Sequence, residues 1–222
     1  MSMVRKKYMS KNESDRLKRI IEAARQLIET AGIEGLTMRS LAAEARVSPV
    51  TLYNRFGNKD NIVSLVIIDN FEIYVDTHRP TANGTASPLD SFLDLLKVER
   101  GTIKSQGEMS KALVTMYFKP GNDRELPNHL RGMLRDRFVP ILDEMRRKKL
   151  IAADANIDLL GLDIADRFLA VAMRWFQADF KEKELLDRIC YSVLLALAGF
   201  STGSQLKRIH SLIGKITLRI RA

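Results

Sequence analysis

The densest group of side chains that could bind a charged partner lies between Val47 and Lys59, in the stretch VSPVTLYNRFGNK. It brings hydroxyl, phenol, amide and cationic groups together, and all of these can donate hydrogen bonds to anionic oxygens. Phosphate oxygens and the base edges of duplex DNA are acceptors of this kind. The stretch therefore indicates recognition of nucleic acid, provided that the fold holds these side chains on one exposed face.

Two short helices would hold the stretch in that way. Ser48 is a preferred N-cap residue, Pro49 suits a first helical position, and Gly57 is typical of the end of a helix. We predict helices over 37–45 and 48–56 joined by a tight turn, which is helix-turn-helix geometry. The second helix of such a pair can enter the major groove and present its N-terminal residues to base edges.

The apolar residues predict which faces of these helices are buried. Thr37 caps the first helix, and Leu41 points inward. Leu52 and Phe56 are four residues apart, so they share a face that packs on the first helix. The side chains left facing outward are Pro49, Val50, Thr51, Tyr53, Asn54 and Arg55. A surface helix of an ordinary bundle has the same periodicity, so the pattern alone leaves both interpretations open.

Helical periodicity continues along nearly the whole chain. Apolar residues recur three and four positions apart over 17–31, and Gly32 is placed to end that first helix. Asn58 caps a fourth helix, and later helices are predicted over 89–106, 108–118, 127–149, 156–180, 183–201 and 204–221. The fold class is therefore all-α. A three-helix helix-turn-helix head, 1–57, precedes a larger helical body, 58–222.

Composition and charge restrict the class of protein. Hydrophobic residues make up 45% of the 222 residues, which favours a globular core over disorder. The formal net charge is +9; residues 1–60 hold 12 Lys/Arg against 7 Asp/Glu, and residues 204–222 hold five cations and no acid. Basic ends favour a polyanionic partner, either nucleic acid or an anionic membrane surface. No apolar run is long enough to span a bilayer, and a single cysteine, Cys190, is typical of a reducing cytosol.

The segment TMRSLAAEARVSPVTLYNRFGNKDNIVSLVI resembles the DNA-binding head of the tetracycline-repressor (TetR-type) family of bacterial regulators. The resemblance covers residues 14–66; beyond them only helical pattern and length agree. The residues in register are Thr37, Leu41, Ala42, Ala45, Val47, Ser48, Leu52, Tyr53, Phe56, Lys59 and Asp60. Arg46 stands in place of the usual turn glycine, where a positive φ would cost about 1 kcal/mol. Asn54 and Arg55 stand where Tyr and His are commoner.

The resemblance implies which residues touch DNA. The set carried over is Thr37, Arg39, Ser48, Val50, Thr51, Tyr53, Asn54 and Lys59. Tyr53 and Lys59 are expected to bind phosphates, and Val50 and Thr51 can offer apolar contact to a thymine methyl. The basic arm Arg5-Lys6-Lys7 either adds phosphate or minor-groove contacts or is a solvated tail.

For the body, the resemblance implies a homodimer and a small-molecule site. The expected dimer interface consists of residues on two apolar helices: Phe168, Ala172, Trp175, Phe176, Ile189, Val193 and Leu197. The expected ligand pocket is drawn from aromatic, Met and Leu positions: Phe71, Tyr74, Phe92, Met109, Leu113, Met116, Phe138 and Met173. In both sets, plain core packing is the alternative. The basic last helix is interpreted as an amphipathic lid on the body, with a membrane surface as the alternative partner.

Motifs for catalysis and metal binding are weak. The stretch GFSTG at 199–203 matches G-x-S-x-G, but a helix precedes it and no acid follows it. His78, His129 and His210 are far apart and have no second ligand at helical spacing. Cys190 lies among apolar residues, which favours an inert thiol. No catalytic residue, metal site or cofactor is therefore predicted.

The sequence predicts a cytoplasmic, dimeric transcriptional regulator that binds a palindromic DNA operator. We expect a repressor that an unidentified small-molecule effector releases. Two alternatives stay open. One is a regulator of the same type that activates transcription or acts without a small ligand. The other is a helical enzyme or interaction protein with an incidental helix-turn-helix.

Overall fold

The computed structural model describes residues 11–77, 87–120 and 125–221, and nearly all of them are helical. Ten α-helices lie in these residues: α1 Lys11–Gly35, α2 Met38–Glu44, α3 Pro49–Phe56, α4 Lys59–Thr77, α5 Pro88–Ser105, α6 Gly107–Tyr117, α7 Glu125–Arg147, α8 Ile157–Phe176, α9 Leu185–Ala198 and α10 Gly203–Arg221. A 3₁₀ turn, Glu182–Glu184, precedes α9. The prediction of an all-α fold is confirmed.

The first helix breaks where the sequence predicted a stop. Gly32 has φ +66°, a left-handed value that glycine adopts at little cost, and the helical turns resume only as far as Gly35. Before that break, one face of α1 is buried: Leu17, Ile20, Ile21, Ala24 and Ile28. Hydrophobic periodicity alone therefore located the core face of this helix.

The helix predicted over 156–180 ends earlier, at Phe176. Ala178 has φ +60°, and a non-glycine residue in that region terminates a helix. The Asp179 N–H donates to the Arg174 carbonyl at 3.1 Å, and the Arg174 guanidinium donates to the Asp179 carboxylate at 2.9 Å. No glycine marks this end, so a stop there could not be predicted from the residues.

The chain divides into two compact units. The first unit comprises Met1–Arg79 and Gln106–Leu126, and the second comprises Pro80–Ser105 and Pro127–Ala222. This grouping follows packing, whereas the predicted boundary after residue 57 separates DNA recognition from the remaining functions. That functional boundary remains a prediction.

In the first unit, α1 packs on both α4 and α6. The partly buried Arg25 on α1 donates to the buried Asp69 carboxylate on α4 at 2.9 Å. The Asn70 amide, also on α4, donates to Gln106 just before α6 at 2.8 Å. These two polar contacts join α4 to its neighbours on either side, which gives the short head helices a rigid base.

In the second unit, α9 is the central helix. It packs on α5, α8 and α10, and its buried residues are Leu185, Ile189, Cys190, Val193, Leu194 and Leu197. On α5 and α7, Phe92 and Phe138 form a tilted ring pair 5.6 Å apart, and Glu99 accepts a hydrogen bond from Arg137. Both members of that ion pair are buried, so each charge needs the other to offset its lost hydration.

Candidate nucleic-acid interface

Helices α2 and α3 form the predicted helix-turn-helix pair. The Thr37 hydroxyl accepts a hydrogen bond from the Ser40 N–H at 3.0 Å, and the Ser40 hydroxyl accepts one from the Thr37 N–H at 2.9 Å. This reciprocal capping fixes the start of α2. The turn to α3 is closed by the Val47 N–H, which donates to the Ala42 carbonyl at 2.9 Å. Leu41 and Leu52 are fully buried, one from each helix.

The recognition helix α3 begins and ends at the predicted residues. The Ser48 hydroxyl accepts from the Thr51 N–H at 3.1 Å, Pro49 occupies the first turn, and Gly57 ends the helix with φ +77°. Leu52 is the buried side chain of α3, while Phe56 is only half-buried. The capping and the apolar spacing together fix the face that α3 turns away from the core.

The start of α4 is tied directly to the end of α3. The Asn58 side chain accepts from the Asn61 N–H at 2.9 Å, so Asn58 caps α4 as predicted. The Asn61 amide then donates to the Phe56 carbonyl at 2.7 Å. This link holds Lys59, the first residue of α4, beside the C-terminal end of α3.

Most of the predicted DNA-contacting residues are exposed to solvent. Val50 is 64% exposed and Tyr53 is 53% exposed, which are high values for an apolar and an aromatic side chain. Four other members of the predicted set are also exposed, namely Thr37, Arg39, Ser48 and Asn54. Thr51 and Lys59 are half-buried. Arg55, also predicted to face outward, is half-buried instead.

The predicted set separates into two chemical groups. Thr37, Ser48 and Thr51 already use their hydroxyls within the head, where the Ser48 and Thr51 oxygens lie 2.8 Å apart. Within the described residues, Arg39, Tyr53, Asn54 and Lys59 have no hydrogen bond or ion pair. The second group therefore has its full hydrogen-bonding capacity free for an incoming ligand, whereas the first group mainly fixes the helices.

Arg46 occupies the turn with a positive φ, the first of the two alternatives that its replacement of the usual glycine left open. Its φ is +53°, one of three non-glycine residues with positive φ among the described residues. A Cβ in this region crowds the backbone and costs about 1 kcal/mol relative to glycine. The turn thus keeps the geometry that a glycine would favour although an arginine is present.

We expect Arg46→Gly to stabilise the protein by about 0.5–1 kcal/mol, because it removes the strain at positive φ and only part of that gain is lost to the more flexible unfolded chain. For a chain of this size, that corresponds to a rise in Tm of about 2 °C. Thermal unfolding followed by circular dichroism would measure it. Arg46→Ala is the matched control, since it removes the charge and keeps the Cβ. A glycine variant no more stable than the wild type would contradict the strain argument.

The predicted pocket residues are buried but fall into both units. Phe71, Tyr74, Met109, Leu113 and Met116 lie in the core of the first unit. In the second unit, Phe92 and Phe138 are fully buried and in ring contact, and Met173 is half-buried. Core residues and pocket residues are both buried, so burial does not distinguish the two roles. The ligand site therefore remains a prediction.

The predicted dimer-interface residues are largely covered by their own chain. Trp175 and Phe176 are half-buried, with ring centres 4.8 Å apart. The other five are buried within the second unit: Phe168, Ala172, Ile189, Val193 and Leu197. Since α8, α9 and α10 already bury these five side chains, their burial gives no support for a partner, and their place at an interface remains a prediction.

The weak catalytic motif has a structural role. Ser201 is buried and donates its hydroxyl to the Leu197 carbonyl at 2.8 Å, in a turn between two helices rather than after a strand.

Burial raises the pKa of the Cys190 thiol to about 11, so the thiolate is scarce at neutral pH. No cluster of three metal-ligating side chains occurs in the described part of the chain, and His78 lies outside it. None of the helices described is both long and apolar enough to cross a bilayer.

The basic arm Arg5-Lys6-Lys7 lies outside the described residues.

One ion pair between described residues could not be predicted from the sequence. Asp60, in the first turn of α4, is ion-paired with Lys119 at 2.6 Å, although the two residues are 59 positions apart.

Comparison with known proteins supports the assignment of the head. Residues 20–66 match the sequence profile of the bacterial regulatory proteins of the tetR family. That match includes the whole of α2 and α3 and the start of α4. A search of curated protein sequences finds no significant match.

Solved structures share the fold over most of the chain. FadR of Thermus thermophilus, a TetR-family transcriptional repressor in complex with lauroyl-CoA, is 19% identical with a TM-score of 0.66, over 84% of this chain and 96% of FadR. RolR in complex with resorcinol is 14% identical with a TM-score of 0.70, over 92% and 96%. A TetR transcriptional regulator from Rhodococcus sp. RHA1 is 19% identical with a TM-score of 0.61, over 86% and 100%. At these identities the likeness establishes the fold.

The matched profile therefore accounts for the helix-turn-helix, and the shared all-helical fold extends the likeness to the rest of the molecule. Residues 20–66 thus carry the sequence profile of the bacterial tetR regulatory proteins, and the chain as a whole shares the all-helical fold of solved TetR-family transcriptional regulators.

Proposed function

We propose that this protein is a cytoplasmic, dimeric repressor that binds a palindromic operator and is released from it by a small organic molecule. The observation that carries the proposal is the exposed face of α3, where Val50, Tyr53 and Asn54 project from a helix that is capped at both ends. A rigid helix with uncovered apolar and polar side chains at its start suits insertion into the major groove.

Each exposed side chain has a distinct role in this proposal. Tyr53 and Lys59 donate hydrogen bonds to phosphates and so set the position of the head on the duplex. Asn54 can bind a phosphate or a base edge, and Val50 can contact a thymine methyl. Helix α2 would cross the DNA backbone, and Arg39, which is exposed on this helix, is suited to bind a phosphate there. Thr37 and Ser48 cap the helices, and Thr51 shares a hydrogen bond with Ser48, so these three hydroxyls would contact DNA through the lone pairs and the one proton that these bonds leave free.

Exposed apolar side chains on α8 and α9 support the dimer. Leu159 on α8 is 63% exposed and Leu195 on α9 is 45% exposed, with Tyr191 one turn before it. A second copy related by a two-fold axis would cover these residues and present two heads to two half-sites. We therefore propose that the interface uses the predicted helices, with these outward residues together with Trp175 and Phe176 at the surface and with Phe168, Ala172, Ile189, Val193 and Leu197 supporting them from within.

A small effector is supported by the ligands of proteins with the same fold. FadR is described with lauroyl-CoA and RolR with resorcinol, two molecules with apolar parts. The predicted pocket residues of this chain are aromatic, Met and Leu side chains, which would bind such molecules mainly by burial of apolar surface. We propose that the lining comes from within one unit, either from Phe71, Tyr74, Met109, Leu113 and Met116 in the first or from Phe92, Phe138 and Met173 in the second.

Selection of random duplex DNA by the purified protein, followed by binding titrations across salt concentrations, tests the proposal. We expect enrichment of a palindrome, with log K falling as log salt rises with a slope of about −0.9 for each phosphate neutralised. Addition of candidate apolar effectors should then lower the affinity for the selected site. Failure to enrich any sequence, with only weak salt-sensitive binding, would contradict sequence-specific recognition.

A further inference from the structure

An ion pair joins the DNA-binding head to a residue far beyond the segment that matches the tetR profile. The Nζ of Lys119, just after α6, lies 2.6 Å from an Oδ of Asp60 on α4. Their side chains are 43% and 35% exposed, respectively. Both residues belong to the first unit, so the contact lies within one compact body.

Stability alone is a weak reason for this contact. Ion pairs that remain in contact with water contribute about 0–1 kcal/mol, because solvent screens the attraction and two long side chains lose freedom. The first unit also holds its helices through the more buried Arg25–Asp69 pair. The Lys119–Asp60 pair should therefore have its main effect on the charge of the surface rather than on folding.

The position of Asp60 makes that charge important. It follows Lys59, a predicted phosphate contact, and Asn61 ties the same turn to the last residue of α3 at 2.7 Å. From Ala45 to Lys59 the chain has three cations and no acid, so Asp60 is the first carboxylate after the recognition helix. An uncompensated carboxylate at this place would repel the phosphates that Lys59 attracts.

We propose that Lys119 is a positioning residue of the DNA-binding surface, which neutralises the Asp60 carboxylate beside Lys59 and holds it away from the duplex. The inference rests on the proposed DNA-binding face of the head. In this inference Lys119 acts on DNA binding through Asp60. A cation supplied by a residue after α6 thus completes a surface whose other members all lie in the first 59 residues.

Binding of the full-length variants to the selected duplex, at two salt concentrations, tests the inference. We expect Lys119→Gln to weaken binding about fivefold at low salt and less at high salt, because screening shortens the reach of the exposed carboxylate. Asp60→Asn in the Lys119→Gln background should restore affinity to the wild-type level or above it. Lys111→Gln is the matched control, since Lys111 lies on α6, is similarly exposed and pairs with Glu108. The control makes the same change of net charge, and we expect it to alter affinity less than twofold.

The outcomes are distinct. Equal effects of Lys119→Gln and Lys111→Gln would overturn the inference, since only overall charge would then matter. Failure of Asp60→Asn to rescue Lys119→Gln would also overturn it, because Lys119 would not be acting through Asp60. Thermal unfolding of each variant checks that the fold is retained. Absence of any DNA site for the wild type would instead count against the proposed function.

Discussion

Tyr53→Ala is expected to weaken operator binding by tenfold or more while the protein stays folded and dimeric. A hydrogen bond to a charged group contributes about 1.5–3 kcal/mol, and a dimer would lose two of them. The Tyr53 side chain is more than half exposed and has no hydrogen bond within the described chain, so truncating it should leave the head intact. Electrophoretic mobility shift or fluorescence anisotropy with the selected duplex would measure the loss.

Tyr53→Phe is the control that separates the phenol hydroxyl from the ring. If Tyr53 binds a phosphate through its hydroxyl, the phenylalanine variant should lose most of the same affinity. If the ring itself supplies the contact, Tyr53→Phe should bind nearly as well as the wild type. Unchanged affinity of Tyr53→Ala, with an unchanged Tm, would remove Tyr53 from the interface.

Leu195→Glu is expected to convert the proposed dimer to monomers. Leu195 lies on the outward face of α9, 45% exposed, and a two-fold axis near it would bring two new carboxylates together in an apolar contact. Hot-spot residues at the centre of an interface cost about 2 kcal/mol or more when changed, and a two-fold interface loses two of them, so the dissociation constant of the proposed dimer should rise by about a hundredfold or more. Sedimentation velocity would show the change in mass, and operator affinity should fall because two linked heads become independent.

Leu218→Glu provides the matched control. Leu218 lies on α10 and is 71% exposed, so the same charge is introduced at an even more exposed leucine that is not part of the proposed interface helices. We expect this variant to remain dimeric. A Leu195→Glu protein that stays dimeric and folded would place the interface elsewhere, and dissociation of the Leu218→Glu dimer would extend the interface to α10.

Local signals explain how far the sequence could predict the head. Thr37, Ser48, Gly57 and Asn58 cap or end helices through contacts with residues at most a few positions away, as their chemistry requires. The four-residue spacing of Leu52 and Phe56 then fixed the face that carries Tyr53. At Arg46 the sequence left two alternatives, a strained positive φ or a slightly different turn, and the structure has the positive φ. These features depend on short-range geometry, which the order of residues specifies directly.

The tertiary structure decided which apolar residues are covered and which charges meet. Periodicity identifies α9 as apolar nearly all round, but only packing shows that Ile189 faces its own chain while Leu195 faces solvent. Likewise, nothing in the sequence joins Lys119 to Asp60, because their contact depends on α6 folding back against α4. The sequence by itself therefore determined the helices, their caps and the register of the recognition face. The long-range contacts needed the folded chain, since burial and ion pairing depend on neighbours that lie far apart in sequence.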